Sequence, residues 1–368
     1  MLPKKTLHRK SSSPTRQGTS SRCKEPLFGL TNRWQNDSMN HSNSQDALPT
    51  ASLASLKSRA LLLKQIRRFF DEHGFFEVET PLLSCDTVVD RHLHPIQVDR
   101  QQITGKQADT QSVVFLQTSP EFAMKRLLAA GADAIYQICK AFRAGEVGRQ
   151  HNPEFTMLEW YRVDDDMLQG LQLLEELIQT ILDTKPATRI SYRTAFSNTT
   201  GLDPFTASID QLANLSKLES EFDRDEHLNV ILSRDVEPGL GIDAPESLYH
   251  YPASQAALAK TKLENGVEVA ERFEIYYQGV ELANGYHELL DPDELVARND
   301  KTNQQRTLDG QLTLPTDSRL LAAMRSGMPA CAGVALGVDR LLMLMLKDKQ
   351  GLQEDHIESV IAFPFDRA

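Results

Sequence analysis

The chain has 368 residues, a quarter of them charged, and a formal net charge of −11, a globular composition with room for one large or two ordinary domains. Its apolar runs are short and broken by charges, and its N-terminus lacks an apolar core, so neither a membrane span nor a secretory signal is indicated and a cytoplasmic protein is expected. Cys23, Cys85, Cys139 and Cys331 stand far apart without CxxC or Cys/His ligand spacing, which points to reduced thiols rather than a disulfide framework or a zinc site.

Residues 1–50 are rich in Ser, Asn, Gln, Lys and Arg and show neither helical nor strand period, so they read as a disordered tail. Eight Lys/Arg against Glu25, Asp37 and Asp46 put this tail at +5 and leave −16 on the remainder. An arm that contacts nucleic acid or an acidic partner is one reading. A solvated extension without a role is the plainer one.

Residues 52–73 predict an amphipathic helix, with Leu56, Ala60, Leu63, Ile66 and Phe70 on one stripe and Gly74 as its stop. Strand-like runs follow at 113–117, 134–142, 154–161, 272–281 and 330–336, and their short connections predict an antiparallel sheet. Helical patterns cover 167–182, 209–215, 292–308, 318–326 and 339–347. Residues 201–270 carry the weakest pattern and read as a possible inserted helical subdomain. No internal repeat is visible.

The densest chemistry lies in residues 141–161, AFRAGEVGRQHNPEFTMLEWY. Strand alternation puts Phe155, Met157, Glu159 and Tyr161 on one face and Thr156, Leu158 and Trp160 on the other. A carboxylate between two aromatics is costly to bury unpaired, so Glu159 needs a cation. A structural Arg or Lys satisfies that need, and so does the ammonium of a substrate.

This segment resembles motif 2 of the class II aminoacyl-tRNA synthetases, lysyl subgroup. Three more segments agree in order: FFEVETPL at 75–82 resembles motif 1, with its proline at Pro81, TSPEFAMKR at 118–126 resembles the substrate loop, and GVALGVDR at 333–340 resembles motif 3. Four ordered motifs are far more specific than one. The resemblance covers residues 53–368 and implies an α+β fold, the class II synthetase catalytic core with an antiparallel sheet flanked by helices. It also makes motif 1 a subunit contact, so a homodimer is implied. Lysyl-tRNA synthetases precede this core with an anticodon-reading barrel. Fifty disordered residues cannot build one, and an acidic body lacks the footprint for a tRNA backbone, so no anticodon binding is expected.

By resemblance, Arg143 spans the substrate carboxylate and the α-phosphate of ATP, and Arg340 holds the γ-phosphate; these are the expected catalytic cations. Arg340 lies at a strand-to-helix turn behind Gly337, a setting that favours anions. Phe155 is expected to stack on adenine, with His151 and Asn152 ordering the loop above it. Ala144, Gly145, Glu146 and Leu282 complete the expected ATP contacts. In GVELANGYHEL, residues 279–289, Glu281 and Glu288 are the expected Mg²⁺ ligands. Seven positions put them on opposite faces of a regular strand, so they converge only if the backbone bends between them, and Asn284–Gly285 is a dipeptide that bends. Ser119, Pro120, Glu121, Glu159, Tyr161, Glu288 and Ala335 are the expected amino-acid contacts, and so many carboxylates suit a dicationic substrate.

Three positions depart from lysyl-tRNA synthetases. Ser119 and Ala335 replace the usual Ala and Gly, and Gly145 replaces the Glu of motif 2, moving the acid to Glu146. A methyl that excludes an α-amino group, with a hydroxyl offering a hydrogen bond elsewhere, favours a lysine isomer whose amino group sits on the β carbon. The same pair, with the C-terminal VIAFPFDRA, is similar to the elongation factor P (R)-β-lysine ligase family, truncated lysyl-tRNA synthetase paralogues. That resemblance implies an ATP-dependent, AMP-forming ligase that activates (R)-β-lysine and transfers it to a lysine of elongation factor P. The alternatives are a truncated enzyme charging RNA or another acceptor with α-lysine, and a noncatalytic regulatory paralogue. The latter is expected to have lost Arg143, Arg340 or a metal glutamate, and all are present.

Overall fold

In chain order, helix α1 (Leu53–Glu72) begins at Ser52, whose hydroxyl accepts the Ser55 N–H as an N-cap. Short strands β1 (Phe76–Glu77), β2 (Leu83–Ser84) and β3 (Gln97–Asp99) follow, then α2 (Arg100–Thr104), β4 (Val113–Leu116) and α3 (Glu121–Ala129). The long strands β5 (Ala134–Phe142) and β6 (Glu154–Val163) lead to α4 (Met167–Leu182). Next come β7 (Thr188–Ser191), α5 (Tyr192–Thr200), α6 (Ile209–Ser216), α7 (Arg224–Ile231), β8 (Glu246–Pro252) and β9 (Thr261–Glu264). The chain closes with β10 (Val267–Tyr277), β11 (Val280–His287), α8 (Pro292–Leu308), α9 (Arg319–Gly327), β12 (Cys331–Gly337) and α10 (Val338–Gln350). This computed structural model describes residues 47–106, 112–350 and 356–368.

The main sheet runs β1-β5-β6-β12-β11-β10-β8-β7, with β9 on β10. It is antiparallel except for the parallel edge pairs β1–β5 and β7–β8. Strands β2, β4 and β3 form a small separate sheet. One face of the main sheet is apolar: Leu158, Trp160, Phe273, Ile275, Val334 and Leu336 pack on Leu62, Ile66 and Phe70 of α1, Leu171, Leu174 and Ile178 of α4, and Leu341, Leu342 and Met345 of α10. That burial lets the opposite face carry polar and charged groups.

Helix α4 coincides with its predicted range because its apolar stripe is continuous and Asp166 closes a full capping box with Gln169. The run 272–281, predicted as one strand, is two: Gln278 and Gly279 take positive φ of 52° and 71° and turn the chain between β10 and β11. Strand-like residues on both sides hide this two-residue turn. Residues 201–270 hold α6 and α7 but are not helical throughout, since β8 pairs with β10 in the main sheet and β9 extends it. Of the predicted tail, residues 1–46 lie outside the described residues. Residues 48–50 belong instead with the folded part, where Thr50 N–H donates to Ala362 O and Arg367 donates to Thr50 Oγ1. Cys85, Cys139 and Cys331 are free thiols.

Candidate active site

Opposed residues of neighbouring strands share a face, so the register alone arranges the polar side of the sheet. One row runs Gln137, Glu159, Ala335, Asn284, Glu274 from β5 to β10. The adjacent row runs Ile135, Tyr161, Gly333, Tyr286, Arg272. Between β10 and β11 the register shifts, with Ile275 opposite Ala283 and Tyr276 opposite Glu281. Leu282 is therefore an extra residue, a bulge, and it returns Glu281 to the face that bears Asn284 and Glu288. The bend foreseen at Asn284–Gly285 lies at Leu282; the Asn284–Gly285 pair is regular strand.

The two expected metal ligands nevertheless stay apart. Same-faced positions 281 and 288 lie on the order of 20 Å from each other at about 3.3 Å per residue. Glu281 lines an open cleft of about 710 Å³ with Arg340, whereas Glu288 is buried against Lys125. The carboxylate beside Glu281 is Glu274: burial, and then repulsion from Glu274, raise the Glu281 pKa above its ordinary range, with Arg340 opposing. Glu274 is itself held by the Tyr251 hydroxyl at 2.5 Å and by Arg272 at 2.6 Å. In this structure Glu288 pairs with Lys125 rather than with the group around Glu281.

The cleft brings together Arg143, Glu146, His151, Asn152, Phe155, Glu281, Leu282, Ala335, Gly337 and Arg340, all named from sequence. Arg340 donates to Glu281 O at 3.0 Å and to its Oε2 at 3.3 Å, and an Nη lies 2.6 Å from His151 Nε2. A guanidinium only donates, so that His151 nitrogen is the acceptor and the ring is neutral. Burial and the Arg340 charge lower the His151 pKa, in agreement. Arg143 lies over the Phe155 ring, 5.1 Å from its centroid, so two expected ATP contacts pack on each other here. Gly145 has φ +83°, a conformation side chains disfavour, and the turn brings Glu146 within 3.7 Å of Arg143. Ala144 is tied through its N–H to His94 O. Asn152 donates to Glu154 O and accepts the Phe365 N–H, which ties the C-terminal segment to this loop.

The amino-acid end lies farther along the same face. Glu159 is 1% exposed; Ser119 Oγ donates to it at 2.6 Å and Tyr161 OH at 2.7 Å. Burial, then the charge of Glu121, push its carboxyl up to about 7, although both hydroxyls oppose the shift. Its hydrogen-bond partners are thus neutral, a poor match for a buried carboxylate. Pro120 starts α3, and Glu121 in its first turn donates its N–H to Ser119 Oγ. The Ser119 hydroxyl foreseen as a substrate contact is therefore already engaged on both sides.

Glu121 and Glu288 are occupied too. Lys125 Nζ lies 2.5 Å from an oxygen of each. Sequence reasoning missed Lys125, Gln137 and Glu274. The Glu121–Lys125 spacing of four on a helix was a usable signal, and the Gln278–Gly279 turn would have brought Glu274 to Glu281. Gly333 carries no chemistry, but a Cβ there would run into the Tyr161 ring and Glu288. Gln137 Oε1 is buried without a hydrogen-bond partner, in register with Glu159.

The family model for tRNA synthetases class II (D, K and N) matches residues 46–367. The chain is 47% identical over 330 residues to an elongation factor P (R)-β-lysine ligase of Vibrio cholerae, covering 88% of this chain and 99% of that protein. It is 45% identical over 327 residues to ligases of the same name from Salmonella gallinarum and Salmonella arizonae, covering 87% of this chain and 98% of each.

Proposed function

Since the chain belongs to the class II (D, K and N) tRNA synthetase family, we propose that it is the ATP-dependent ligase that joins (R)-β-lysine to a lysine side chain of elongation factor P. The carboxylate of β-lysine attacks the α-phosphorus of ATP, and pyrophosphate leaves. The ε-amino group of the acceptor lysine then attacks the adenylate carbonyl, AMP leaves, and the attacking nitrogen loses a proton to give an amide.

The observation that carries the substrate reading is Glu159, a buried carboxylate in the centre of the polar face whose partners are two hydroxyls. An ammonium group of the substrate supplies the missing counter-ion. Arg143 and Arg340 face the same cleft and neutralise the triphosphate and the charge that develops at the α-phosphate. Phe155 supplies an aromatic face for adenine. Glu281 lines the cleft, and the nearby Glu274 charge disfavours its ionised form, so its carboxylate would gain from a Mg²⁺ ion there, while Glu274 stays with Arg272 and the Tyr251 hydroxyl. Among the described residues no group of three or more His, Cys, Asp or Glu side chains is placed to hold a metal, so the remaining ligands would be phosphate oxygens. Bound there, the ion would supply positive charge to offset the negative charge of the triphosphate.

Phe76, Leu82 and Leu83, in and beside the motif 1 segment, are exposed apolar side chains and suit a homodimer contact. No helix among the described residues is long and apolar enough to cross a membrane, and we place the reaction in the cytoplasm, where its acceptor works in translation. The test is to incubate purified protein with ATP, each lysine isomer and unmodified elongation factor P, and to measure the intact acceptor mass. One added lysyl mass with the β isomer is expected. An unchanged acceptor overturns the reading.

A further inference from the structure

At the amino-acid end of the site a lysine of the protein already occupies part of the carboxylate cage. Lys125 is 1% exposed, and its Nζ lies 2.5 Å from Glu121 Oε1 and 2.5 Å from Glu288 Oε2. It stands 5.9 Å from the centroid of the Tyr161 ring, whose hydroxyl holds Glu159. The two carboxylates come from opposite sides, Glu121 from the first turn of α3 and Glu288 from the end of β11. Glu288 is anchored there by its N–H to Cys331 O. The ammonium is the only described cation in ion-pair contact with either carboxylate.

We propose that Lys125 is a specificity-determining positioning residue for the amino-acid substrate. Its ammonium sits between Glu121 and Glu288 and holds both in place, so Glu159, whose partners are two hydroxyls, is the carboxylate left to receive a substrate ammonium. The inference rests on the lysine-type reading of the site. Burial alone would strip the proton from Lys125, but the two adjacent carboxylates more than reverse this, so the group stays charged. Without it, two buried carboxylates would face each other with no counter-ion; they would share a proton and close together, and the cage would lose its shape. Glu159, Tyr161, Tyr286, Cys331 and Lys260 are the other titratable groups that interact with this cluster. None of them contacts both carboxylates.

The experiment is ATP–pyrophosphate exchange with (R)-β-lysine, α-lysine and the monocationic analogue norleucine, on wild type, Lys125→Met and the charge-balanced double variant Glu121→Gln/Lys125→Met. Methionine keeps the length of the side chain, and the double variant removes one charge of each sign, so the net charge of the cluster is unchanged. Expected for either variant is a KM for the lysine isomer at least tenfold above wild type, with KM for ATP within threefold and preference for lysine over norleucine at least tenfold smaller. A merely structural lesion would raise both KM values together. A lysine KM within twofold of wild type in the double variant, or an equal rise in the KM for ATP, overturns the inference. Wild-type enzyme that activates neither lysine isomer overturns the functional reading, and this inference falls with it.

Discussion

Ser119 Oγ donates a 2.6 Å hydrogen bond to Glu159 Oε2, joining the loop before α3 to strand β6 of the main sheet. With Tyr161 on the other oxygen, it holds a buried carboxylate in one orientation while leaving its charge unbalanced.

That imbalance has a pH signature. The Glu159 carboxyl is raised to about 7 from 4.5, so the folded free enzyme binds a proton there that the unfolded chain has lost. Stability from this group therefore declines as pH rises from about 4.5 to 7 and is flat above. Glu159→Gln should stabilise the free protein at pH 8 by on the order of 1–3 kcal/mol while abolishing lysine-dependent exchange. In wild type the KM for the lysine isomer should fall as pH rises from 6 to 8, because the ammonium needs the ionised form. Denaturant melts at pH 5.5 and 8, with exchange assays across the same range, check both; a variant less stable than wild type at pH 8 would refute the assignment.

Ala335 stands in the row between Glu159 and Asn284, so its methyl projects between the carboxylate and the next strand's amide. Ala335→Gly should shift the kcat/KM ratio toward α-lysine relative to (R)-β-lysine by about tenfold, the worth of one methyl in a pocket wall. Ser119→Ala should instead raise KM for both isomers, by about fivefold for a lost hydrogen bond of about 1 kcal/mol, because that hydroxyl acts through Glu159. An isomer ratio unmoved by Ala335→Gly would remove this residue from the choice of isomer.

Arg340 makes its contacts at the rim of the cleft, to Glu281 and His151, rather than in the apolar core. Arg340→Ala should lower pyrophosphate exchange at least 100-fold through lost charge on the triphosphate. Circular dichroism and the melting temperature should stay near wild type. Exchange within a few fold of wild type would show that the charge is not used.

Gly333→Ala tests how tightly the amino-acid end is packed. The added methyl meets the Tyr161 ring and the Glu288 carboxylate, neither of which has room to retreat, and overpacking of this kind costs about 1–3 kcal/mol. We expect a lower melting temperature and a raised KM for the lysine isomer, with less effect on KM for ATP. A variant as stable and as active as wild type would mean that the wall yields.

The ordered motifs placed the chain in its family, and capped helices such as α4, or strands such as β5 and β6, were legible because their cause is local: an apolar period, a cap, an alternation. Residue types also announced the chemistry, since arginines and glutamates in those motifs suit a triphosphate and an ammonium. Which carboxylate meets which cation was not legible. Glu281 was paired with Glu288 along the chain, but a bulge at Leu282 and the turn at Gln278–Gly279 set it beside Glu274 on the next strand. Lys125 read as one more helix residue until α3 and β11 closed around it. Covalent spacing is written in the chain, whereas burial and cross-strand register arise only when distant segments pack. A charge buried that way depends on its spatial neighbours for its partner and its protonation.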